Sequence, residues 1–192
     1  MKILFFAFTT LFAFSFLQIG HTQSLATSKG ASFVGGTVSF SSNGDEFQDD
    51  RSIGFVLNPS YSYFIANRLA VGANLGLNYS RFDEDSKSSS FSIGPRISYF
   101  FDNGNTIIPY LSTAFGFGRY NFDFGFSENS GHTLSGVLSA GLAVRQDHLA
   151  ILLEAGFSVA GTRSDSIPDE DYFNSNTFYL SVGLAGFLYQ NE

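Results

Sequence analysis

Glu128, Ser130 and His132, at alternate positions, are the nearest this chain comes to a catalytic set. An extended backbone would put all three on one face. A serine activated by a histidine, itself oriented by a carboxylate, is how acyl hydrolases such as lipid deacylases make a nucleophile. The plainer reading is solvated loop, because same-face spacing arises easily in a Ser- and Asn-rich stretch, and Glu128 and Ser130 need not both reach His132. His148 sits in a short polar turn and reads as turn chemistry. Acidic clusters stand at Asp45-Glu46 with Asp49-Asp50, at Asp83-Glu84-Asp85, and at Asp169-Glu170-Asp171 after Pro168. Such oxygen-rich groups could hold calcium or magnesium and bridge to the phosphates of a surface glycolipid. None has the spacing of a calcium loop, so solvated, mutually repelling loop tips account for them. With no cysteine there is no disulfide framework, thiolate metal site or cysteine nucleophile. Gly35-Gly36 does not lie between a strand and a helix and is no phosphate loop. No catalytic residue, cofactor or metal site is assigned.

The elements that carry these residues follow a rhythm. From about Phe33 to Tyr189, stretches of alternating apolar and polar residues are joined by connections that switch between short and long. Short joins fall at Ala66-Asn67-Arg68, Asp102-Asn103-Gly104-Asn105 and Gln146-Asp147-His148. Long, acidic, Ser-rich joins fall between them at Ser41 to Arg51, Phe82 to Ser89, Asn121 to His132 and Thr162 to Ser175. Antiparallel strands of roughly ten residues, with short turns on one side and longer loops on the other, are the pattern of a barrel crossing an outer membrane. The expectation is an all-β protein: an eight-stranded antiparallel up-and-down transmembrane β-barrel. Phe and Tyr abound while mean hydropathy is near zero, which suits a wall in which every second residue faces lipid.

The third strand is the cleanest, with Leu69, Val71, Ala73, Leu75, Leu77 and Tyr79 outward against Asn74, Asn78 and small residues inward. A slip of one residue would put both asparagines in lipid, so its register is well specified. Pro59 in the second strand lacks an N–H, and a bulge or local bend is expected there. Tyr61, Tyr63, Tyr79, Tyr99, Phe101 and Tyr189 cluster toward strand ends, as interfacial aromatic girdles do. The last strand can pair with the first, which removes both edges.

The same alternation turns Arg96 and Glu154 inward, each about five residues from its short turn at a shared rise per residue. Asn74 lies at a comparable height. A polar layer across the lumen is expected, with Arg96 and Glu154 paired and Asn74 and nearby serines completing the hydrogen bonds. Side chains fill an eight-stranded barrel, so a plug is expected rather than a pore. The pair then either only satisfies charges that must face inward or acts as a gate when it exchanges partners; the first reading is preferred.

One positive charge at Lys2 precedes an apolar run to about Ile19, with Gly20 and Thr22 before Gln23. Residues 1–22, His21 included, read as a secretory signal peptide and 23–192 as one barrel domain. Without Lys2, nine basic side chains face seventeen acidic ones, which disfavours grip on nucleic acid.

The texture of Phe91-Ser92-Ile93-Gly94-Pro95-Arg96-Ile97-Ser98-Tyr99-Phe100, of Ile108-Pro109-Tyr110-Leu111 running into Phe115-Gly116-Phe117-Gly118, and of Leu153-Glu154-Ala155-Gly156-Phe157 resembles the outer membrane protein beta-barrel domain family. These are the small OmpA/OmpX-like barrels of Gram-negative bacteria, and the likeness covers nearly all of 23–192. Such barrels often end on an aromatic residue, whereas this chain runs past Tyr189 to Gln190-Asn191-Glu192. The resemblance implies an outer-membrane location after export and contact with outer-membrane lipid, surface glycolipid and the assembly machinery. It also implies a monomer, with no nucleic acid partner. The leading expectation is a non-enzymatic barrel with a mostly filled interior, serving envelope structure or surface contact through its long acidic loops. A narrow gated pore and a lipid-modifying enzyme are the alternatives. A soluble lipocalin-like barrel is disfavoured, since its apolar face would point inward.

Overall fold

The computed structural model describes residues 26–45, 48–81, 86–123, 125, 128–165 and 173–188. The expected signal peptide (1–22) with His21, the acidic positions Glu46, Asp83 to Asp85 and Asp169 to Asp171, and Tyr189 lie outside these residues. Eight strands follow in order: β1 (Ser32–Asp45), β2 (Gln48–Ala66), β3 (Leu69–Arg81), β4 (Lys87–Phe100), β5 (Ile107–Asp123), β6 (Glu128–Gln146), β7 (Leu149–Ser164) and β8 (Phe173–Leu188). Each pairs antiparallel with the next, and β8 pairs with β1 from Ser32↔Leu188 to Val38↔Val182, which closes the barrel.

The strands outrun their apolar pattern. β1 continues to Asp45 rather than stopping near Ser41, and β6 starts at Glu128, so Ser130 and His132 lie on a strand and not in a loop. Apolar alternation marks only the part of a strand that faces hydrocarbon; above it the ladder continues with polar side chains because pairing still satisfies the backbone. The bulge expected at Pro59 is absent. Leu57↔Leu77 and Ser60↔Asn74 flank the proline in one register, so the β2–β3 ladder opens locally and resumes without a slip. A slip there would invert both faces of β3. Register shifts occur instead at Gly44/Asp45 and at Phe64/Ala66.

The outer wall is apolar. Ile93, Leu138, Phe178 and Leu184 lie exposed on it, and Tyr61, Tyr63, Tyr79 and Tyr99 point outward as a girdle requires. Phe101 lies beyond the end of β4 and is half-buried.

The core sits inside the barrel at the short-turn end. Phe33, Phe64, Phe100 and Phe187 turn inward, with Phe33 and Phe187 at 5.2 Å between ring centroids, Phe64 and Phe100 at 5.4 Å, and Phe100 and Tyr110 at 5.4 Å. Ile108 and Leu152 complete the cluster. Residues 26–31 fold beneath it: the Arg68 amide donates to the Thr27 carbonyl (2.7 Å) and the Gly30 amide to the Phe64 carbonyl (3.0 Å). The Thr27 hydroxyl donates to Asp102 Oδ2 (3.0 Å). Asp102 Oδ1 accepts from the amide of Gly104, whose φ of 82° gives the β4–β5 connection its left-handed step.

Phe100 touches Phe33, Phe64, Phe187 and Tyr110, so Phe100→Ala empties the centre of this cluster. Equilibrium unfolding from lipid vesicles in denaturant should register a loss of about 3–5 kcal/mol.

Candidate functional site in the barrel lumen

Above the phenylalanines lies the polar layer. Arg96 reaches from β4 across the lumen to β7, where its Nη2 stands 3.0 Å from Glu154 Oε2, both side chains being buried. Glu154 takes two further bonds, from Tyr110 to Oε2 (3.0 Å) and from Tyr179 to Oε1 (3.0 Å). Arg96 Nε donates to Ser98 Oγ (3.3 Å), and Ser98 Oγ meets Ser112 Oγ at 2.9 Å. Three donors around one carboxylate meet the condition under which a buried charge is tolerated.

Local sequence explains the fit. Gly141 stands directly opposite Tyr110 on the β5–β6 ladder, and Gly156 opposite Tyr179 on the β7–β8 ladder. A Cβ on Gly141 would run into the Tyr110 ring, and one on Gly156 would lie 2.5 Å from the Tyr179 ring and hydroxyl. Both rings therefore lie across a glycine, with their hydroxyls on Glu154.

Asn74 does not complete the layer. It stands opposite Gly94, whereas Arg96 stands opposite Gly72, which puts Asn74 one inward position farther from the short turns. Its Oδ1 is buried without a hydrogen-bond partner. The two tyrosines take the part expected of it. Tyr179 is an inward residue on its strand pattern, and Tyr110 shares the inward parity of Ser112; that parity was the available signal for both.

Nor does the filling extend through the whole barrel. On the long-loop side of Arg96 and Glu154 the lumen holds a cavity of about 560 Å³, lined by Asn58, Asn74, Ser92, Ser135 and Thr177 among others. Below the polar layer the lumen is packed with apolar side chains, and above it Ser, Asn and Thr side chains line the cavity together with Val56, Ala114, Val137 and Ala160.

The Ser130 and His132 side chains are exposed on the outer wall, remote from this layer. Among the described residues no hydrogen bond joins Ser130 to His132. The imidazole stacks on Phe117 (6.1 Å between centroids) and its Nε2 stands 3.5 Å from Asp165 Oδ1. The side chain of Glu128 lies outside what is described. The arrangement has an orienting carboxylate but no serine engaged by its base.

No protein-family model matches the sequence, and no curated protein matches it. Solved structures do. The crystal structure of Neisserial surface protein A is 20% identical, with a TM-score of 0.53 over 82% of this chain and 99% of that one. The fold is that of the small eight-stranded outer-membrane barrels. The N-terminal β-barrel domain of Pseudomonas aeruginosa OprF aligns at 13% identity and a TM-score of 0.47, covering 84% of this chain and 98% of that one. The outer membrane enzyme PagL aligns at 15% identity and a TM-score of 0.38, covering 82% and 99%.

Removing either member of the layer's ion pair leaves a buried charge without its counter-ion. Arg96→Met should lower stability by about 3–5 kcal/mol, and the double variant Arg96→Met/Glu154→Met should recover most of that loss. A double-mutant cycle by denaturant unfolding measures both. Gly141→Ala displaces the Tyr110 ring from Glu154, and the same assay should show a cost of about 1–3 kcal/mol.

Proposed function

We propose that this protein is a non-conducting, non-enzymatic barrel of the Gram-negative outer membrane, held by its lipid-facing wall and working at its long-loop end in envelope structure or surface contact. The observation that carries this reading is the closed lumen. A solute descending from the long-loop side meets the Arg96–Glu154 pair and, below it, Phe33, Phe64, Phe100 and Phe187, each at most 4% exposed. A gate at the ion pair alone would not open a path, because the phenylalanines stand beneath it and share no charge with it.

Two further observations support the reading. Ser130 makes no bond to His132, which speaks against a lipid-modifying enzyme built on that pair. Closure of β8 on β1 leaves no free strand edge for a second copy, which favours a monomer. Export by residues 1–22 and delivery to the assembly machinery belong to the same reading. The acidic long joins point to partners that present basic groups or divalent cations.

Single-channel recording tests it. Chain from residue 23, refolded and shown to be inserted by its heat-dependent gel mobility, should leave a planar bilayer silent. Discrete openings that change in Arg96→Ala would replace this reading with a gated pore.

A further inference from the structure

Among the described residues the β1–β8 ladder stops at Val38↔Val182, although β1 runs on to Asp45 and β8 reaches back to Phe173. Beyond that point β1 goes on pairing with β2, and β8 with β7. Each strand keeps one neighbour there. The two bare edges face each other across a slot in the wall, so neither is offered to a second copy. Ser181, the first β8 residue past the end of the ladder, stands opposite Glu154 on β7. The slot therefore begins at the height of the ion pair that floors the lumen cavity.

The cavity, of about 560 Å³, reaches through this slot. On β2 and on β4 to β7 the residues that line it all face inward. β1 instead contributes Ser39 and Phe40, and β8 contributes Phe178, Tyr179 and Leu180; consecutive strand residues present both faces of the wall. Of the remaining strands β3 adds one outward residue, Leu77, but its pairing with Leu57 and Phe91 is intact, so the wall is closed there. Phe40, Phe178 and Leu180 are exposed. Phe40 stands opposite Phe55 and Phe178 opposite Phe157, so the slot opens onto hydrocarbon. Inside, the ionisable side chains of the lining are Arg96, Glu154 and Tyr179, and the first and last both bond to Glu154. A charged group entering the cavity would find no free counter-ion and would be costly to bury. Hydroxyl groups would find Ser, Thr and Asn side chains, among them Asn74, whose buried Oδ1 has no hydrogen-bond partner.

We propose that the cavity binds the uncharged, hydroxyl-bearing head of a small single-chain amphiphile, which enters through the β1–β8 slot and leaves its tail in hydrocarbon against Phe40, Phe178 and Leu180. The inference rests on the outer-membrane reading above. The volume is that of a small-molecule pocket, for which roughly 300–1,000 Å³ is usual. Hydroxyl groups in the slot also give the two bare strand edges the hydrogen-bond partners that hydrocarbon cannot. The floor stays shut, because the ligand comes and goes by the same slot and never passes Arg96 and Glu154. Binding here is therefore compatible with a silent bilayer.

The probe is 1-monodecanoylglycerol with a photoactivatable diazirine at the tip of its tail, added to the full chain in phosphatidylcholine vesicles, irradiated and mapped by peptide mass spectrometry. The chain is first shown to fold by its heat-dependent gel mobility; a chain that stays soluble without lipid or detergent would overturn the outer-membrane reading and this one together. Cross-links should concentrate on β1 and β8 around Phe40, Phe178 and Leu180. Plain 1-monodecanoylglycerol should displace the probe at about tenfold lower concentration than decanoate, which has the same tail and a charged head. Ser158→Phe, which fills the cavity from β7, and separately Asn74→Leu, which removes the spare acceptor, should each cut labelling of the slot about fivefold or more once shown to be folded. Labelling spread evenly around the wall, equal displacement by decanoate, or full slot labelling in both variants would overturn the bound amphiphile while leaving the outer-membrane reading intact.

Discussion

Hydrocarbon offers a peptide group nothing to bond to, and the rest of this molecule is a consequence of that. Every N–H and C=O in the lipid-facing part of the wall must be satisfied inside the wall, and a sheet does so only when its last strand meets its first. The β1–β8 ladder from Ser32↔Leu188 to Val38↔Val182 is therefore the contact without which the other seven ladders would expose an edge to lipid. Closure also creates a narrow interior. Half of each strand's side chains must go there whether or not the residue is apolar.

The barrel meets that condition differently at its two ends. At the short-turn end the inward side chains are aromatic and aliphatic, and residues 26–31 seal the base through Thr27 and Asp102. Higher up they are mainly serine, asparagine, threonine and glycine around a cavity. Arg96 and Glu154 lie at the boundary. A carboxylate there has apolar packing on one side, and three bonds from Arg96, Tyr110 and Tyr179 hold it in place. The glycines opposite the two tyrosines belong to the same solution, because a side chain at either position would take the space of a ring. Stability and closure to solutes thus come from one arrangement.

The outside repeats the logic with another solvent. Apolar residues face lipid until the level of Phe117 and Leu134, and the next outward position on the same strands carries Arg119 and His132. A shared carboxylate, Asp165, sets the direction of both side chains. The ladder does not end where the lipid ends, so groups that would otherwise sit on a loose loop are held on a rigid wall.

Period-two alternation is a local property, written in neighbouring residues, and it made the strand faces, the well-specified register of β3, and the inward direction of Arg96 and Glu154 readable from the chain alone. It says which way a side chain points and roughly how far it lies from a turn. Who meets whom across the lumen depends on strand tilt and stagger, which only a closed barrel defines. So the tertiary structure chose Tyr110 and Tyr179 over Asn74 as partners of Glu154, gathered Phe33, Phe64, Phe100 and Phe187 from four strands into one cluster, and brought Asp165 to His132. Strand length was hidden for a related reason. Hydrophobic pattern reports contact with lipid, whereas a ladder lasts as long as its backbone groups find each other, and that is decided by the neighbouring strand.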